Sequence, residues 1–401
     1  MRSRSGSISS WRLLCAIAAL LLGTMATAQT ETILYNFTGQ ADGKYPPSGL
    51  AIDSFGNLYG TAGGGQGCTS KASSCGIVFS LSPGGTLTVL HAFTSGRKDG
   101  NGPQAGLIRG AKGILYGTTK AGGPSGLGTV YQVTPQGKET VLYFFTGLTD
   151  GGAPWAPVVR DASGNLYGTT SQGGDATCGL AGTGCGTVYK VTTAGVETTL
   201  YSFHDGADGK YPKGGLVFDK EGNLYGTTES GGINDPNCSL GCGTIFKLAP
   251  DGTKTTLHSF NGESEGGQPN SSLFIDSKGN LYGEASGSNV TGSVVCQLAP
   301  NGTFRVLHRF QEPDGQIPYG GLIRDRQGYL YGTTAVGGAN SCGTVFKLGG
   351  TVETLLHSFG CLTSDGNEPM AGLVMDADGN LYGTTATGGT SNFGTVFKIT
   401  Q

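Results

Sequence analysis

The chain has 401 residues, of which 75 are glycine and 13% are charged, and its formal net charge is −3. So much glycine without a Gly-X-Y period excludes collagen, and the regularly placed Leu, Val, Ile, Phe and Tyr argue against disorder. No basic stripe follows residue 28, so the composition also argues against nucleic-acid binding.

Residues 1–28 have the pattern of a signal peptide. Arg2, Arg4 and Arg12 form a basic segment, and the apolar run at residues 13–22 is too short to span a bilayer. Residues 26–28 are Ala-Thr-Ala, a typical cleavage site. We expect cleavage after Ala28, no membrane span after cleavage, and a secreted or periplasmic protein that is not anchored.

The rest of the chain is a tandem repeat. The tripeptide Leu-Tyr-Gly starts at residues 58, 115, 166, 224, 281, 330 and 381. In the fourth copy, four short apolar runs (215–219, 223–228, 243–248 and 255–260) are separated by Gly, Pro and Asp turn residues. This pattern predicts seven units, each an antiparallel meander of four strands, which we call a, b, c and d.

The two ends of the repeat region are out of phase. The region begins with a d-type strand at residues 31–37 and ends on a c-type strand at residues 394–399. Pairing the two completes the last unit and covers its exposed edge. We therefore predict an all-β fold, with one seven-bladed β-propeller domain over residues 29–401, preceded by the signal peptide at 1–28.

Several motifs of the repeat also occur in a known family. The run D-x-x-G-N-L-Y-G-T-T, the G-G that follows, the strand G-T-V-F-K-L, and L-H-S-F before D-G-x-x-P recur along residues 31–401. They resemble the bacterial GloVer tandem-repeat family, exported proteins that end in varied C-terminal anchors. The resemblance implies an extracellular propeller-like domain and no defined activity for particular residues. No anchor of that kind is visible in this chain.

Nine cysteines remain after the signal peptide, and eight of them suggest pairs. Three pairs lie within single b–c loops, and a fourth joins the start of strand c to the end of the antiparallel strand d. The expected disulfides are Cys68–Cys75, Cys178–Cys185, Cys238–Cys242 and Cys342–Cys361. Zinc is the alternative, but no loop supplies four Cys or His ligands, so we expect neither metal nor cofactor. Cys296 replaces a phenylalanine of strand c, which indicates a buried free thiol.

The histidines and most carboxylates recur with the repeat. His91, His258, His308 and His357 share one position of strand d with Tyr35, Tyr143 and Tyr201. One ring of Asp residues opens the a–b turns, and a second begins each D-G-x-x-P segment. This recurrence favours structural roles, and equivalent carboxylates on different blades should lie too far apart to share a Ca²⁺ ion.

Residues that break the symmetry are the candidate ligand-binding residues. Tyr45 and Tyr211 precede the proline of D-G-x-x-P, and Trp155 and Tyr319 follow it, all on the face of the b–c and d–a loops. They either stack on sugar rings or fill gaps between blades. A second set, Arg109, Arg160 and Arg324 in strand a, either edges the central channel and contacts an anion or pairs with turn carboxylates. Glu284 replaces a recurring threonine.

The sequence favours a non-enzymatic binding propeller outside the cytoplasm. Its loop-rich face would be presented to a glycan, peptide or surface partner, and we expect a monomer. The alternative is an exported hydrolase or lyase acting on carbohydrate or lactone, since one fold supports many functions. We assign no catalytic residue, because the sequence contains no His, Asp and Glu cluster outside the repeat pattern.

Overall fold

A computed structural model describes residues 29–65, 75–179, 182–233, 236, 238–287, 292–361 and 364–401. These residues form seven four-stranded antiparallel sheets and one two-stranded ribbon. The predicted seven-bladed β-propeller is therefore confirmed. The predicted signal peptide falls outside the described residues, and no helix within them is long and apolar enough to cross a membrane.

In blades 1 to 6, strands a to d follow one another in chain order, and in blade 7 strand d comes from the start of the described chain. Strands a are Ala51–Ile52, Ile108–Arg109, Val159–Arg160, Val217–Phe218, Phe274–Ile275, Ile323–Arg324 and Val374–Met375. Strands b are Leu58–Ala62, Leu115–Thr119, Leu166–Thr170, Leu224–Thr228, Leu281–Ala285, Leu330–Thr334 and Leu381–Thr385.

Strand d, at the outer edge, is the longest strand of each blade. Strands c are Ile77–Leu81, Thr129–Val133, Thr187–Val191, Thr244–Leu248, Val294–Leu298, Thr344–Gly349 and Thr395–Thr400. Strands d are Leu87–Ala92, Glu139–Phe144, Glu197–Ser202, Lys254–Ser259, Phe304–Arg309, Val352–Ser358 and, for blade 7, Thr30–Asn36. The ribbon pairs Gly100–Asn101 with Ala121–Gly122, and two 3₁₀ turns span Ala111–Gly113 and Gly206–Asp208.

The ring closes through the first strand of the described chain. Thr30–Asn36 pairs antiparallel with strand c of blade 7, from Thr30 opposite Thr400 to Asn36 opposite Thr395. The predicted closure is confirmed. Phe37, which follows this strand, is fully buried, and its ring lies 5.5 Å from that of Phe79 in blade 1.

Aromatic pairs join each blade to the next. The phenylalanine that follows strand d meets an aromatic ring of the next strand c edge-to-face, as Phe203 meets Phe246 at 5.2 Å between ring centroids. Blade 5 departs from this pattern, because Cys296 occupies the aromatic position of its strand c. There Phe260 instead meets Phe304, at the start of strand d, at 5.7 Å. The smaller cysteine is thus compensated by a ring from the neighbouring strand.

The D-G-x-x-P segments lock neighbouring blades together. The residue before the proline has a left-handed backbone in all seven copies. These residues are Tyr45, Gly102, Ala153, Tyr211, Gln268, Ile317 and Glu368, with φ between 50° and 66°. The proline then packs on the glycine that opens strand c of the preceding blade. A Cβ atom on Gly243 would lie 2.6 Å from Pro269 Cδ, so this contact requires glycine.

Three of the four predicted disulfides lie within the described residues and are confirmed. They are Cys178–Cys185, Cys238–Cys242 and Cys342–Cys361, with Cα separations of 5.4, 5.1 and 5.3 Å. Cys68, a member of the remaining predicted pair, lies outside those residues. Cys296 is a buried free thiol, as predicted, and burial raises its pKa to about 12.

Phe37 offers a direct test of ring closure. Phe37→Ala should lower the free energy of unfolding by about 3–5 kcal/mol, since it removes a buried ring from the joint between blades 7 and 1. Denaturant unfolding of the mature protein measures this. Phe55→Ala is the control, because Phe55 is 79% exposed. A truncated chain that starts at Thr38 should lose still more stability, and an unchanged melting temperature would contradict closure by this strand.

Peptide mapping without reduction should test the cysteine assignments. We expect linked peptides for 178–185, 238–242 and 342–361, and for 68–75 as the sequence predicts. Cys296 should react with an alkylating agent only after denaturation, because the thiolate is the reactive form and this thiol is buried. Rapid alkylation of Cys342 in the native protein would exclude its pairing with Cys361.

Candidate functional site

A cavity of about 550 Å³ lies on the propeller axis, at the face of the b–c and d–a loops. Every blade contributes to its wall the residues that precede or begin strand a. These are residues 47–50, 104–108, 155–157, 213 with 215, 270–272, 319–320 and 370–373, joined by Glu229 from a b–c loop. A ligand here would contact several blades at once.

The wall is built by hydrogen bonds between neighbouring blades. The fourth residue of strand b is threonine in six blades, and its hydroxyl donates to a backbone carbonyl of the next blade's wall segment, as Thr118 does to Ala156 O at 3.1 Å. Thr384 donates in the same way to Ser48 O across the ring closure, at 3.1 Å. The wall is therefore a rigid part of the scaffold.

Blade 5 reverses this hydrogen bond. Glu284 replaces the threonine, and its Oε2 accepts from the amide of Gly321 at 2.9 Å. The side chain is 2% exposed, and its Oε1 is buried with no hydrogen bond to any described residue. Burial raises the pKa of Glu284 to about 8, although the Gly321 amide opposes this shift. Glu284 therefore carries a proton at neutral pH and lies behind the cavity wall.

Trp155 lies at the cavity wall and remains 37% exposed. Lys120 Nζ and Lys213 Nζ lie 4.6 and 5.9 Å from its ring centroid, within the range of cation–π contacts. Lys213 in turn forms an ion pair with Glu229, with 2.7 Å between Nζ and Oε2. The indole is thus held by charged neighbours while part of its surface faces solvent.

Tyr319 and Asn270 complete the polar part of the cavity. The pKa of Tyr319 is raised by burial and, secondly, by the negative charge of Glu229. Asn270 Oδ1 is buried and makes no hydrogen bond to a described residue. Blades 3, 4, 5 and 6 therefore bring an indole, an ion pair, an amide and a phenol to one cavity.

The other two predicted aromatics lie elsewhere on the same face. Tyr45 packs edge-to-face on Phe393 of the preceding blade, with 5.7 Å between ring centroids. The amide of Tyr211 donates to Cys185 O of the preceding blade at 2.9 Å. Neither residue lines the axial cavity. The contact of Tyr45 with Phe393 favours the second of the two alternatives for this residue, in which it fills a gap between blades.

The three predicted arginines lie near the opposite face, at the end of strand a. Arg324 Nη1 is 3.3 Å from Asp276 Oδ2 of the preceding blade, and its Nε donates to Gly328 O at 3.1 Å. The guanidinium of Arg160 lies 5.7 Å from the ring centroid of Tyr116. Arg109 is close enough to Tyr59 that its charge partly offsets the rise that burial causes in the pKa of Tyr59. None of the three lines the axial cavity, and Arg324 pairs with a turn carboxylate.

A larger groove of about 850 Å³ lies on that opposite face, between blades 4 and 5. Ile275, in the strand a position that arginine holds in blades 2, 3 and 6, lines this groove. The lining comes from a–b and c–d turn residues that recur throughout the repeat. We therefore favour the axial cavity as the functional site, since Trp155 and Tyr319, two of the residues that break the symmetry, line it.

The first acidic ring stabilises the a–b turns, as predicted. Asp53 Oδ1 accepts from the amides of Phe55 and Asn57, and its Oδ2 accepts from Asn57 Nδ2 and the hydroxyl of Tyr59. Burial opposes the shift, but the hydrogen bonds from Asn57 prevail and lower the pKa of Asp53. These oxygens are fully used by the turn.

The second acidic ring is partnered by the His or Tyr position of strand d. Tyr201 OH donates to Asp208 Oδ1 at 2.8 Å, and His308 Nε2 lies 3.0 Å from Asp314 Oδ2. At these two positions the exchange of His for Tyr therefore preserves a hydrogen bond to the carboxylate. A third member was not predicted from the sequence. It is a glutamate in the first two residues of strand d in four blades, namely Glu31, Glu139, Glu197 and Glu353. Its recurrence was the available signal.

Comparison with known proteins identifies the family. The sequence model of the Gloeobacter/Verrucomicrobia repeat matches residues 66–241 and 236–401. The chain belongs to this repeat family. The resemblance seen in the sequence motifs is thereby confirmed. No curated protein matches the chain.

Solved structures resemble this repeat protein only at the level of fold. The extracellular domain of a predicted hybrid two-component system from B. thetaiotaomicron is 12% identical, with a TM-score of 0.57; the match covers 92% of this chain and 39% of that one. A gluconolactonase from Xanthomonas campestris is 16% identical, with a TM-score of 0.43, and covers 77% of this chain and 87% of that one.

Glu284 should make the stability of the protein depend on pH. Below pH 4.5 the carboxyl is protonated in both the folded and the unfolded chain. Between pH 4.5 and about 8 the unfolded chain ionises while the buried group keeps its proton, so the native protein loses stability as the pH rises. Glu284→Gln should remove this loss, so its advantage over the native protein should grow by up to about 4 kcal/mol between pH 5 and 8.

Urea unfolding at pH 5, 6.5 and 8 measures this difference. Glu284→Thr, which restores the residue of the other six blades, should behave like the glutamine variant. Glu221→Gln is the control, because Glu221 is exposed and should leave the pH profile unchanged. Parallel profiles for the native protein and both Glu284 variants would show that this carboxyl ionises freely in the folded state.

Proposed function

We propose that this protein is a non-enzymatic binding propeller that works outside the cytoplasm and holds a glycan at the axial cavity. The observation that carries the proposal is Trp155, partly exposed at the cavity beside Tyr319, Asn270 and the Lys213–Glu229 pair. Binding cavities combine apolar and aromatic walls with a few convergent polar groups, and this cavity has that composition.

Sugars match the chemistry of these side chains. The C–H face of a pyranose ring can cover an exposed indole or phenol, while its hydroxyls need hydrogen-bond partners nearby. Asn270 Oδ1 is a buried acceptor that no described residue satisfies, and leaving such an atom unpaired is costly. Lys213 and Glu229 supply a donor and an acceptor on the same wall. A neutral or weakly anionic oligosaccharide fits this arrangement.

The carboxylates of the cavity favour binding over hydrolysis. Among its described lining residues Glu229 is the single carboxylate, and it is engaged by Lys213. Glycoside hydrolysis generally uses a pair of carboxyl groups on either side of the scissile bond. The alternative of a carbohydrate- or lactone-active enzyme therefore has less support than binding.

Export is part of the same proposal. The signal-peptide pattern of residues 1–28 and the three disulfides of the described residues are typical of proteins that fold in an oxidising compartment. We propose a secreted or periplasmic monomer, with cleavage after Ala28. A glycan outside the cytoplasm would then be accessible to the cavity.

Trp155 should report binding directly, since it is the single tryptophan of residues 29–401. Titration of the mature protein with an oligosaccharide panel should change its fluorescence, and Trp155→Ala should weaken the affinity of the oligosaccharide that binds about tenfold or more. Tyr45→Ala is the matched control, because Tyr45 is on the same face but outside the cavity; its affinity should equal that of the native protein. The melting temperature of Trp155→Ala should stay near the native value.

Three outcomes would contradict the proposal. Equal losses of affinity in the two variants would place the ligand outside the axial cavity. A large loss of stability in Trp155→Ala would assign the indole to the scaffold. Release of product from the titrated oligosaccharide would favour the enzymatic alternative.

A further inference from the structure

A second constellation of side chains lies at the outer rim, where two blades meet. At the interface of blades 1 and 2, His91 and Asp99 from one blade face Glu139, which begins strand d of the next. At the interface of blades 6 and 7, His357 and Asp365 face Glu31 in the same way. In each set one ring nitrogen and two carboxylate oxygens all lie within 4.8 Å of one another.

These two sets contain polar atoms that the protein leaves without hydrogen bonds. His91 Nε2 is 3.5 Å from Asp99 Oδ1 but forms no hydrogen bond to a described residue, and neither does Glu139 Oε1. Glu31 Oε1 is also shielded from solvent and unpartnered among the described residues. In each set the glutamate and the aspartate therefore face the same imidazole, and one oxygen of the glutamate has no hydrogen-bond partner among the described residues.

Another copy of the repeat has a lysine at the position of Glu139 and shows that a positive charge can be placed there. At the interface of blades 3 and 4, Lys254 stands in the register of Glu139: each pairs with the last residue of its strand c. The Lys254 ammonium lies 2.8 Å from Asp208 Oδ1 and 2.7 Å from Thr256 Oγ1, and the side chain is 4% exposed. Asp208 is the equivalent of Asp99. Where strand d begins with lysine, a cation therefore occupies the space between the blades.

We propose that the interfaces of blades 1–2 and 6–7 each bind a divalent transition-metal ion, Zn²⁺ by ligand chemistry, through one histidine and two carboxylates. Imidazole nitrogen with carboxylate oxygen suits Zn²⁺ better than Ca²⁺ or Mg²⁺, which prefer oxygen ligands alone. Water fills the remaining coordination position, because His91 and Asp99 are partly accessible, with side-chain exposures of 19% and 14%.

Three other interfaces lack at least one of the required residue types. Between blades 2 and 3, Tyr143 replaces the histidine and donates to Asp150, so no imidazole faces Glu197. Between blades 4 and 5, the place of the glutamate is taken by Phe304, whose ring stacks on His258 with 3.9 Å between centroids. Between blades 7 and 1 the equivalent residue is Leu87. The interface of blades 5 and 6 repeats the three residue types, but its ligand atoms are not as close together as in the two proposed sites.

The proposed metal ions would link neighbouring blades. Glu139 belongs to blade 2, whereas His91 and Asp99 come from blade 1 and the segment after it. Glu31 lies on the strand that closes the ring, so the second site joins this strand to blade 6. Metal binding should therefore raise the melting temperature of the whole propeller.

The test uses the mature protein without a histidine tag, stripped with a chelator and titrated with Zn²⁺ alone. Isothermal titration should give two ions per chain, and the melting temperature should rise with Zn²⁺. The double change H91Y/E139K reproduces the residues of the blade 3–4 interface, so it should fold normally and bind one ion. The double change H357Y/E31K should remove the other ion. Glu197→Gln is the control and should retain both.

The proposal is overturned if the native protein binds no Zn²⁺ and its melting temperature responds neither to Zn²⁺ nor to chelator. It is equally overturned if both double variants keep two ions, because the ligands would then lie elsewhere. Binding of Ca²⁺ in preference to Zn²⁺ would exclude the assigned imidazole coordination.

Discussion

The contact between each D-G-x-x-P proline and the glycine of the preceding blade determines the path of the chain through the ring. The residue before the proline takes a left-handed backbone, and its amide donates to the preceding blade, as Tyr211 does to Cys185 O at 2.9 Å. The proline then directs the chain towards the axis, where it forms the cavity wall before entering strand a. Both the closed ring and the axial cavity depend on this one turn, which explains why it recurs seven times.

The same segment connects the rim to the axis. Its acidic residue binds the His or Tyr of strand d at the outer edge, while the residue after its proline can reach the cavity, as Trp155 and Tyr319 do. One short stretch of chain therefore carries a structural hydrogen bond at one end and a recognition position at the other. Every blade interface has an acidic residue beside the His or Tyr of strand d. The two proposed metal sites also have a histidine at that position and a glutamate from the next blade.

Most of the fold could be predicted from the sequence, because it depends on local patterns. Turn residues, strand alternation and the unpaired d-type strand are readable without knowing any distance, and cysteines within one loop need no long-range information. The division of the four aromatics was not predicted. Tyr45 and Tyr211 precede the proline and Trp155 follows it, and only the left-handed backbone before the proline explains why the first two diverge from the axis. The rim glutamates were missed because each faces residues of another blade that are distant in the sequence, as Glu139 faces His91 and Glu31 faces His357.

The exchange at blade 5 bears on how such a chain can change over time. Phe260 packs on Phe304 there, because Cys296 occupies the position of strand c that is aromatic in the other six blades. Copying a phenylalanine alone into position 296 would set two rings against Phe260, whereas copying the whole unit would carry both residues together. Replacing a whole blade therefore disturbs this contact less than replacing one of its residues. Cys296 and Phe304 have to change together, which distinguishes the fifth copy from the others.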